Sequence, residues 1–258
     1  MNHPSVRLLR ITNNEPNHYS NSTFVGKGST VRFQTNDYDL HGITKCYLKT
    51  SIIPNSQYNI YSRNHTLHIV CADMIEVQPI PVGQYTITTF ISALKAVLDV
   101  AAFPRIFTIN VDPLTYKLTF IKSGGAEFTI SDKTLNSMYL PIGQDIQKTS
   151  TALSLQCDNM YNISGLRHIY IESQVLGKQL CTGATSRKFN IIADIPIENL
   201  TPFGSYQTNS FSEETMNVTF FRGAKNISDL HISLCNEYGH PLELNGLPFT
   251  LIFELHSN

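Results

Sequence analysis

The strongest constraint on this chain is a series of short segments in which apolar and polar residues alternate, each closed by Pro, Gly, Asn or Asp. A period of two sends successive side chains to opposite faces of an extended strand, so each segment buries one face and wets the other. Val31 and Phe33 alternate within residues 29–34. Residues 46–53 read as a strand stopped by Pro54-Asn55, residues 66–70 as another, and 74–77 as a third that ends at Pro79 and Pro81. After the middle of the chain the pattern returns at 152–156, 167–175, 188–195, 217–221, 229–235 and 248–256. Residues 5–12 fit either a first strand or an extended arm. The stretches 13–27 and 199–214, rich in Asn, Ser and Thr, read as loops. Many short strands joined by connections of very unequal length favour a jelly roll over an even meander.

One stretch departs from the period of two. Phe90, Ile91, Leu94, Val97 and Leu98 fall on one side of a helix over residues 89–100. Thr88 or Thr89 can cap its start, and Pro104 prevents it from running on. A hairpin follows, with Phe107, Ile109 and Val111 on one arm and Tyr116, Leu118 and Phe120 on the other. Its turn is Asp112-Pro113-Leu114-Thr115, in which Pro113 presets the backbone angle of the first corner. The expected fold class is therefore all-β: a single jelly roll of two antiparallel sheets with an inserted small α/β unit, helix plus hairpin. Residues 1–28 are expected to form an N-terminal arm or edge strand and loop. Residues 29–258 form the jelly roll, with the insertion at about 81–137. Removing residues 1–12 is expected to weaken assembly while leaving the β body folded.

Composition narrows the function. Only 15% of residues are charged, and nineteen Lys and Arg balance twenty Asp and Glu to a net charge of −1. No basic stripe exists to neutralise a phosphate backbone, which argues against specific nucleic-acid binding. Residues 1–11 lack the apolar stretch of a signal peptide, and no window is apolar enough for a membrane span. Cys46, Cys71, Cys157, Cys181 and Cys235 contain no Cys-x-x-Cys pair and read as reduced thiols. Glycosylation sequons such as those at Asn21, Asn64, Asn162, Asn217 and Asn226 are what chance supplies in so Asn-rich a chain.

No catalytic signature is present. Val25-Gly26-Lys27-Gly28-Ser29 has the wrong glycine count for a phosphate loop and no helix behind it, and reads as a turn. His65 and His68 fall on opposite faces of a strand. His231 and Cys235 share a face, but about 13 Å apart along it, too far for one metal ion. Glu172 and Asp194 could pair for glycoside chemistry only if the sheet brought them together. The expectation is no enzyme, with no catalytic, cofactor-binding or metal site and no cofactor. Twelve Tyr without any Trp shift attention to contacts between proteins: Tyr58, Tyr61, Tyr139, Tyr161, Tyr206 and Tyr238 fall near turns and strand ends.

Four segments carry a resemblance to a known family. They are Ile52-Ile53-Pro54-Asn55-Ser56-Gln57-Tyr58-Asn59-Ile60; Ile80-Pro81-Val82-Gly83-Gln84-Tyr85-Thr86 leading into the helix; residues 165–176 with 191–197; and Leu234-Cys235-Asn236-Glu237-Tyr238-Gly239-His240-Pro241-Leu242-Glu243-Leu244-Asn245-Gly246 running into Phe249-Thr250-Leu251-Ile252. Together they resemble the penton, or minor capsid, proteins of virophages and virophage-like DNA transposons, a single jelly-roll capsid protein family. The resemblance implies a structural virion protein, the homopentameric vertex subunit of the icosahedral capsid of a double-stranded DNA virus. It also implies synthesis in the host cytoplasm, and partners that are copies of itself, major capsid protein trimers and other minor capsid proteins. An arm bearing Arg7 and Arg10 would then run along the shell. Another virion component of the same fold (cement, spike or host-attachment protein) is the alternative, and a lectin-like jelly roll stands behind it.

Overall fold

The computed structural model describes residues 5–13, 22–35, 40–71, 74–100, 107–131, 139–181, 188–197, 202–212, 218–237 and 239–257. The chain divides into two compact units, Met1–Gln57 with Leu166–Asn258, and Tyr58–Gly165. In chain order the first unit begins with β1 (Ser5–Thr12), β2 (Ser22–Lys27), β3 (Thr30–Thr35) and β4 (Ile43–Pro54). The second holds β5 (Thr66–Cys71), β6 (Met74–Pro79), α1 (Ile87–Val100), β7 (Phe107–Val111), β8 (Lys117–Lys122) and β9 (Phe128–Ile130). It ends with α2 (Tyr139–Ile142), β10 (Lys148–Thr149) and β11 (Ser154–Met160). The first unit then resumes with β12 (His168–Glu172), β13 (Lys178–Cys181), β14 (Lys188–Pro196) and β15 (Tyr206–Ser210). Its last strands are β16 (Val218–Lys225), β17 (Asp229–Cys235) and β18 (Thr250–Ser257).

Every strand pairing in the first unit is antiparallel, and the strands form two sheets. One has the order β1-β18-β4-β15, with β16 also on β4; the other has the order β13-β14-β12-β17-β3-β2. Their inward residues form one apolar cluster: Leu9 and Ile11 from β1, Val31 from β3, Leu48 from β4, Ile169 and Ile171 from β12, Leu230 and Ile232 from β17, and Leu251, Phe253 and Leu255 from β18. The alternation read from the sequence is what builds this core, since each strand gives one face to it.

Residues 5–12 are therefore a strand and not an appended arm. All eight pair with β18, from Ser5 opposite Ser257 to Thr12 opposite Thr250, and Leu9 and Ile11 are buried in the core. That removes the basis for expecting the β body to survive their loss. Two strands form where loops were expected: β2, paired along its length with β3, and β15, paired with β4. The strand expected over 167–175 stops at Glu172, where the register against β14 shifts and Ser173 opens a turn closed by Gly177 N–H donating to Ser173 O at 2.8 Å.

The second unit holds the helix and hairpin, but more besides. β7, β8 and β11 make one antiparallel sheet, and β10, β9, β5 and β6 make another. The strands expected at 66–70 and 74–77 thus belong here and not to the main sheets. Phe90, Leu94 and Leu98 of α1 are fully buried in a core shared with Leu67, Phe107, Phe120 and Phe128. The Phe107 and Phe128 rings meet edge to face at 5.2 Å, the arrangement that ring quadrupoles favour. The helix begins two residues earlier than its apolar stripe suggested. Thr86 is the cap, and not Thr88 or Thr89: its hydroxyl accepts the Thr89 N–H at 3.3 Å, while the Thr86 N–H donates to the Thr89 hydroxyl at 2.9 Å.

Candidate functional site

The residues singled out for chemistry do not converge. Lys27 pairs with Thr30 across a two-residue turn at Gly28-Ser29, and Gly28 takes φ +59°, so the glycine-rich stretch is a hairpin corner with no helix behind it. His68 is buried on β5, and His65 precedes the strand. On β17, His231 is exposed whereas Cys235 is buried. Glu172 and Asp194 lie on one face of the same sheet but take different partners. Asp194 bonds His168 Nδ1 at 2.8 Å, and the Cys235 thiol donates to Glu172 Oε2 at 3.7 Å. Among the described residues no three His, Cys, Asp or Glu side chains are gathered as a metal ion would need. Cys46, Cys71, Cys157 and Cys235 are buried and joined in no disulfide. Burial pushes the Cys46 thiol up to about 12, and burial with the nearby Asp158 charge does the same for Cys157. Such thiols stay protonated near neutral pH and are poor nucleophiles there. A small depression in the first unit is lined by Ile53, Ile169, Ile195 and Ile197 with the amides of Asn55, Gln207 and Asn209, and it holds no ionisable group.

What the folded chain does present is two contrasting outer faces on the first unit. On the β1–β18–β4 face, Val6 and Leu8 are each 59% exposed, and they lie opposite His256 and Glu254. Arg10, Lys45 and Lys49 share that side. Lys49 Nζ reaches Glu254 Oε2 at 2.8 Å, His256 Nε2 lies 3.1 Å from Glu254 Oε1, and Lys45 Nζ sits 5.7 Å from the centre of the Tyr47 ring. On the other face, β12 and β14 carry His168, Tyr170, Glu172 and Asp194, and Glu237 lies just beyond β17. The Tyr170 ring stacks on His168 at 6.3 Å, and its hydroxyl is held above the usual phenol range by burial, then by the charges of Asp194 and Glu237. Further along, Arg32 forks onto Asp229 at 2.6 and 3.1 Å.

Several of these ion pairs shift a carboxyl group. The hydrogen bond from Lys49 holds Glu254 below the usual carboxylate range, that from Lys148 does so for Asp158, and that from Arg32 for Asp229. A lowered folded pKa adds stability above the ordinary range near about pH 4, and that stability is lost as pH falls through the folded value. The melting midpoint is therefore expected to be level from about pH 7 to 5 and to drop below about pH 4. Thermal melts across that interval check it, and a midpoint that rises on acidification would contradict it.

The tyrosines expected at contacts are mostly withdrawn. Tyr58, Tyr61 and Tyr161 are half-buried, Tyr206 is 43% exposed, and the side chains of Tyr139 and Tyr238 lie outside the described residues. Sequence reasoning did not single out Val6, Leu8 and Phe203, which are exposed, and Tyr116, expected on the second arm of the hairpin, precedes β8 and is exposed too. For Val6 and Leu8 the signal was present: residues 5–12 carry aliphatic side chains on both parities, so a strand there must expose some of them.

No protein-family model matches the chain, and no curated protein matches it. Among solved structures, the crystal structure of a selenomethionine-labelled mavirus penton protein aligns with 98% of this chain and 100% of that one, at 13% sequence identity and a TM-score of 0.46. No helix among the described residues is long and apolar enough to cross a membrane.

Proposed function

We propose that this chain is a structural virion protein, the subunit of a pentameric vertex in the icosahedral capsid of a double-stranded DNA virus, and that it is not an enzyme and uses no cofactor. On this reading its body is a single jelly roll interrupted by an inserted unit. It is made in the host cytoplasm, it ends up in the virion, and its partners are its own copies, major capsid trimers and other minor capsid proteins. The observation that carries the reading is the strand order of the first unit. The first strand lies beside the last, with β4 next and β15 and β16 beyond, while β3, β17, β12 and β14 follow one another in the second sheet. The first sheet thus alternates strands from the two ends of the chain, and the second joins those ends once, where β17 lies beside β3, an order that fits two Greek keys wound into a jelly roll. The sequence resemblance adds the vertex role to that fold, and the exposed aliphatics of β1 suit a subunit that is covered by neighbours.

Light scattering coupled to size-exclusion chromatography tests this directly. A particle of five times the 29.0 kDa subunit mass is the expected result. A trimer would point instead to a spike or fibre protein of the same fold, and a monomer at all concentrations would overturn self-assembly.

A further inference from the structure

We infer that the outer face of the β1–β18–β4 sheet docks against the outer face of the β12–β14 region in a second copy of this chain, head to tail. This rests on the self-assembling reading above and specifies which surfaces it uses. Three observations carry it. The β1 face exposes Val6 and Leu8 at 59% each beside the half-buried Ile252, an aliphatic patch on an edge strand. Around that patch, β1, β4 and β18 carry Arg10, Lys45 and Lys49, and the acidic residue of these strands, Glu254, is buried and bound by Lys49. The opposite sheet and its flanks present Glu172, Asp194, Asp229 and Glu237 against Arg32 and Arg167 among their described side chains, around the stacked rings of His168 and Tyr170. One face is apolar with a basic border, and the other is aromatic with an acidic border.

Charge decides the pairing. If either face met its own copy across a two-fold axis, cations would oppose cations or carboxylates would oppose carboxylates, and like charges brought together in a contact cost several kcal/mol. Meeting the other face instead brings Arg10 and Lys45 toward Asp194 and Glu237. The aliphatic patch meanwhile covers the exposed edge of the Tyr170 and His168 rings. Because the faces are the two outer sides of one sandwich, each copy keeps one face for the copy before it and one for the copy after it. Such a heterologous contact closes into a ring or runs into a filament.

The test blocks one face at a time. Val6→Glu with Arg10→Glu reverses the first face, and Asp194→Arg with Glu237→Lys reverses the second; all four positions are exposed. Each double variant alone is expected to run as a monomer, with association weakened at least tenfold. An equimolar mixture of the two is expected to associate again, because each partner keeps one unaltered face and the two altered faces carry opposite charges. Calorimetric melts verify that the variants fold, and the single variants Arg10→Glu and Glu237→Lys repeat the test with a smaller change. If the unaltered chain assembles but the variants assemble equally well, or if the blocked variants fail to recombine, this interface is overturned while self-assembly stands. A monomeric unaltered chain would overturn the self-assembling reading itself.

Discussion

A chain lacking residues 1–12 is expected to lose the cooperative melting of the first unit, or to melt at least about 10 °C lower than the full chain. The loss follows from where β1 sits. Leu9 and Ile11 are 4% and 1% exposed and pack in the same cluster as Leu251 and Phe253. Removing each is a large-to-small core change of about 2–5 kcal/mol, against a total domain stability of about 5–15 kcal/mol. The deletion also strips the eight-residue pairing from β18, leaving an exposed apolar edge that invites aggregation. About 4 kcal/mol corresponds to a shift of about 8–16 °C for a unit of this size. Differential scanning calorimetry reads it, and a midpoint lowered by less than about 5 °C would show that β1 is dispensable to the core. The same result makes deletion a poor probe of assembly, because it would remove the contact face by unfolding it. Point substitutions at Val6 and Arg10 keep the strand and change only its surface.

How much of this was legible depended on whether a feature is local. The β7–β8 hairpin was readable because its arms alternate and its turn carries its own chemistry. Asp112 Oδ1 accepts the N–H groups of Leu114 and Thr115 at 2.8 and 3.1 Å, which fixes the corner without help from the rest of the chain. The helix was readable from Phe90, Leu94 and Leu98 for the same reason. β15 was not readable: its sequence, YQTNS, has no apolar period, and among its side chains only Gln207 is buried, donating to Pro196 O at 2.7 Å. An edge strand can be held by backbone pairing to its neighbour, which leaves no mark on composition. The extent of the second unit was hidden too, because the alternation of β5 resembles that of any buried strand and does not say which sheet receives it. The contact faces lie at the far end of this scale. Alternation tells which residues of β1 share a side, but Leu8 comes beside Glu254, and Tyr170 beside Asp194, only through pairings between strands remote in sequence.

Replacing Asn59 with Asp is expected to be among the most damaging single substitutions in the second unit. Asn59 is 3% exposed, and its amide is spent on both ends of that unit. Its Oδ1 accepts the Tyr85 N–H at 2.9 Å, while its Nδ2 donates to Tyr85 O at 2.7 Å and to Ile163 O at 2.9 Å. Gly165 packs close enough that a Cβ there would lie 3.2 Å from the Asn59 Cβ, so the backbone leaves the side chain little room to move away. Aspartate keeps the acceptor but turns the donor into a second oxygen facing two carbonyl oxygens. Two hydrogen bonds are lost and a charge is buried without a partner, a cost of about 3–5 kcal/mol at neutral pH. The sign of the pH dependence identifies the cause. That carboxyl's folded pKa must rise above its unfolded value of about 4, so the variant recovers stability as pH falls toward that value and the protonated oxygen donates again. Asn59→Leu, which cannot titrate, is expected to carry a penalty that stays constant relative to the unaltered chain between about pH 8 and 5. Melting both variants beside the parent at each pH separates the two. A gap between Asp and Leu that fails to close on acidification would mean that the two carbonyls are not held by the Asn59 amide, and a neutral-pH penalty for Asp below about 1 kcal/mol would remove the hub altogether.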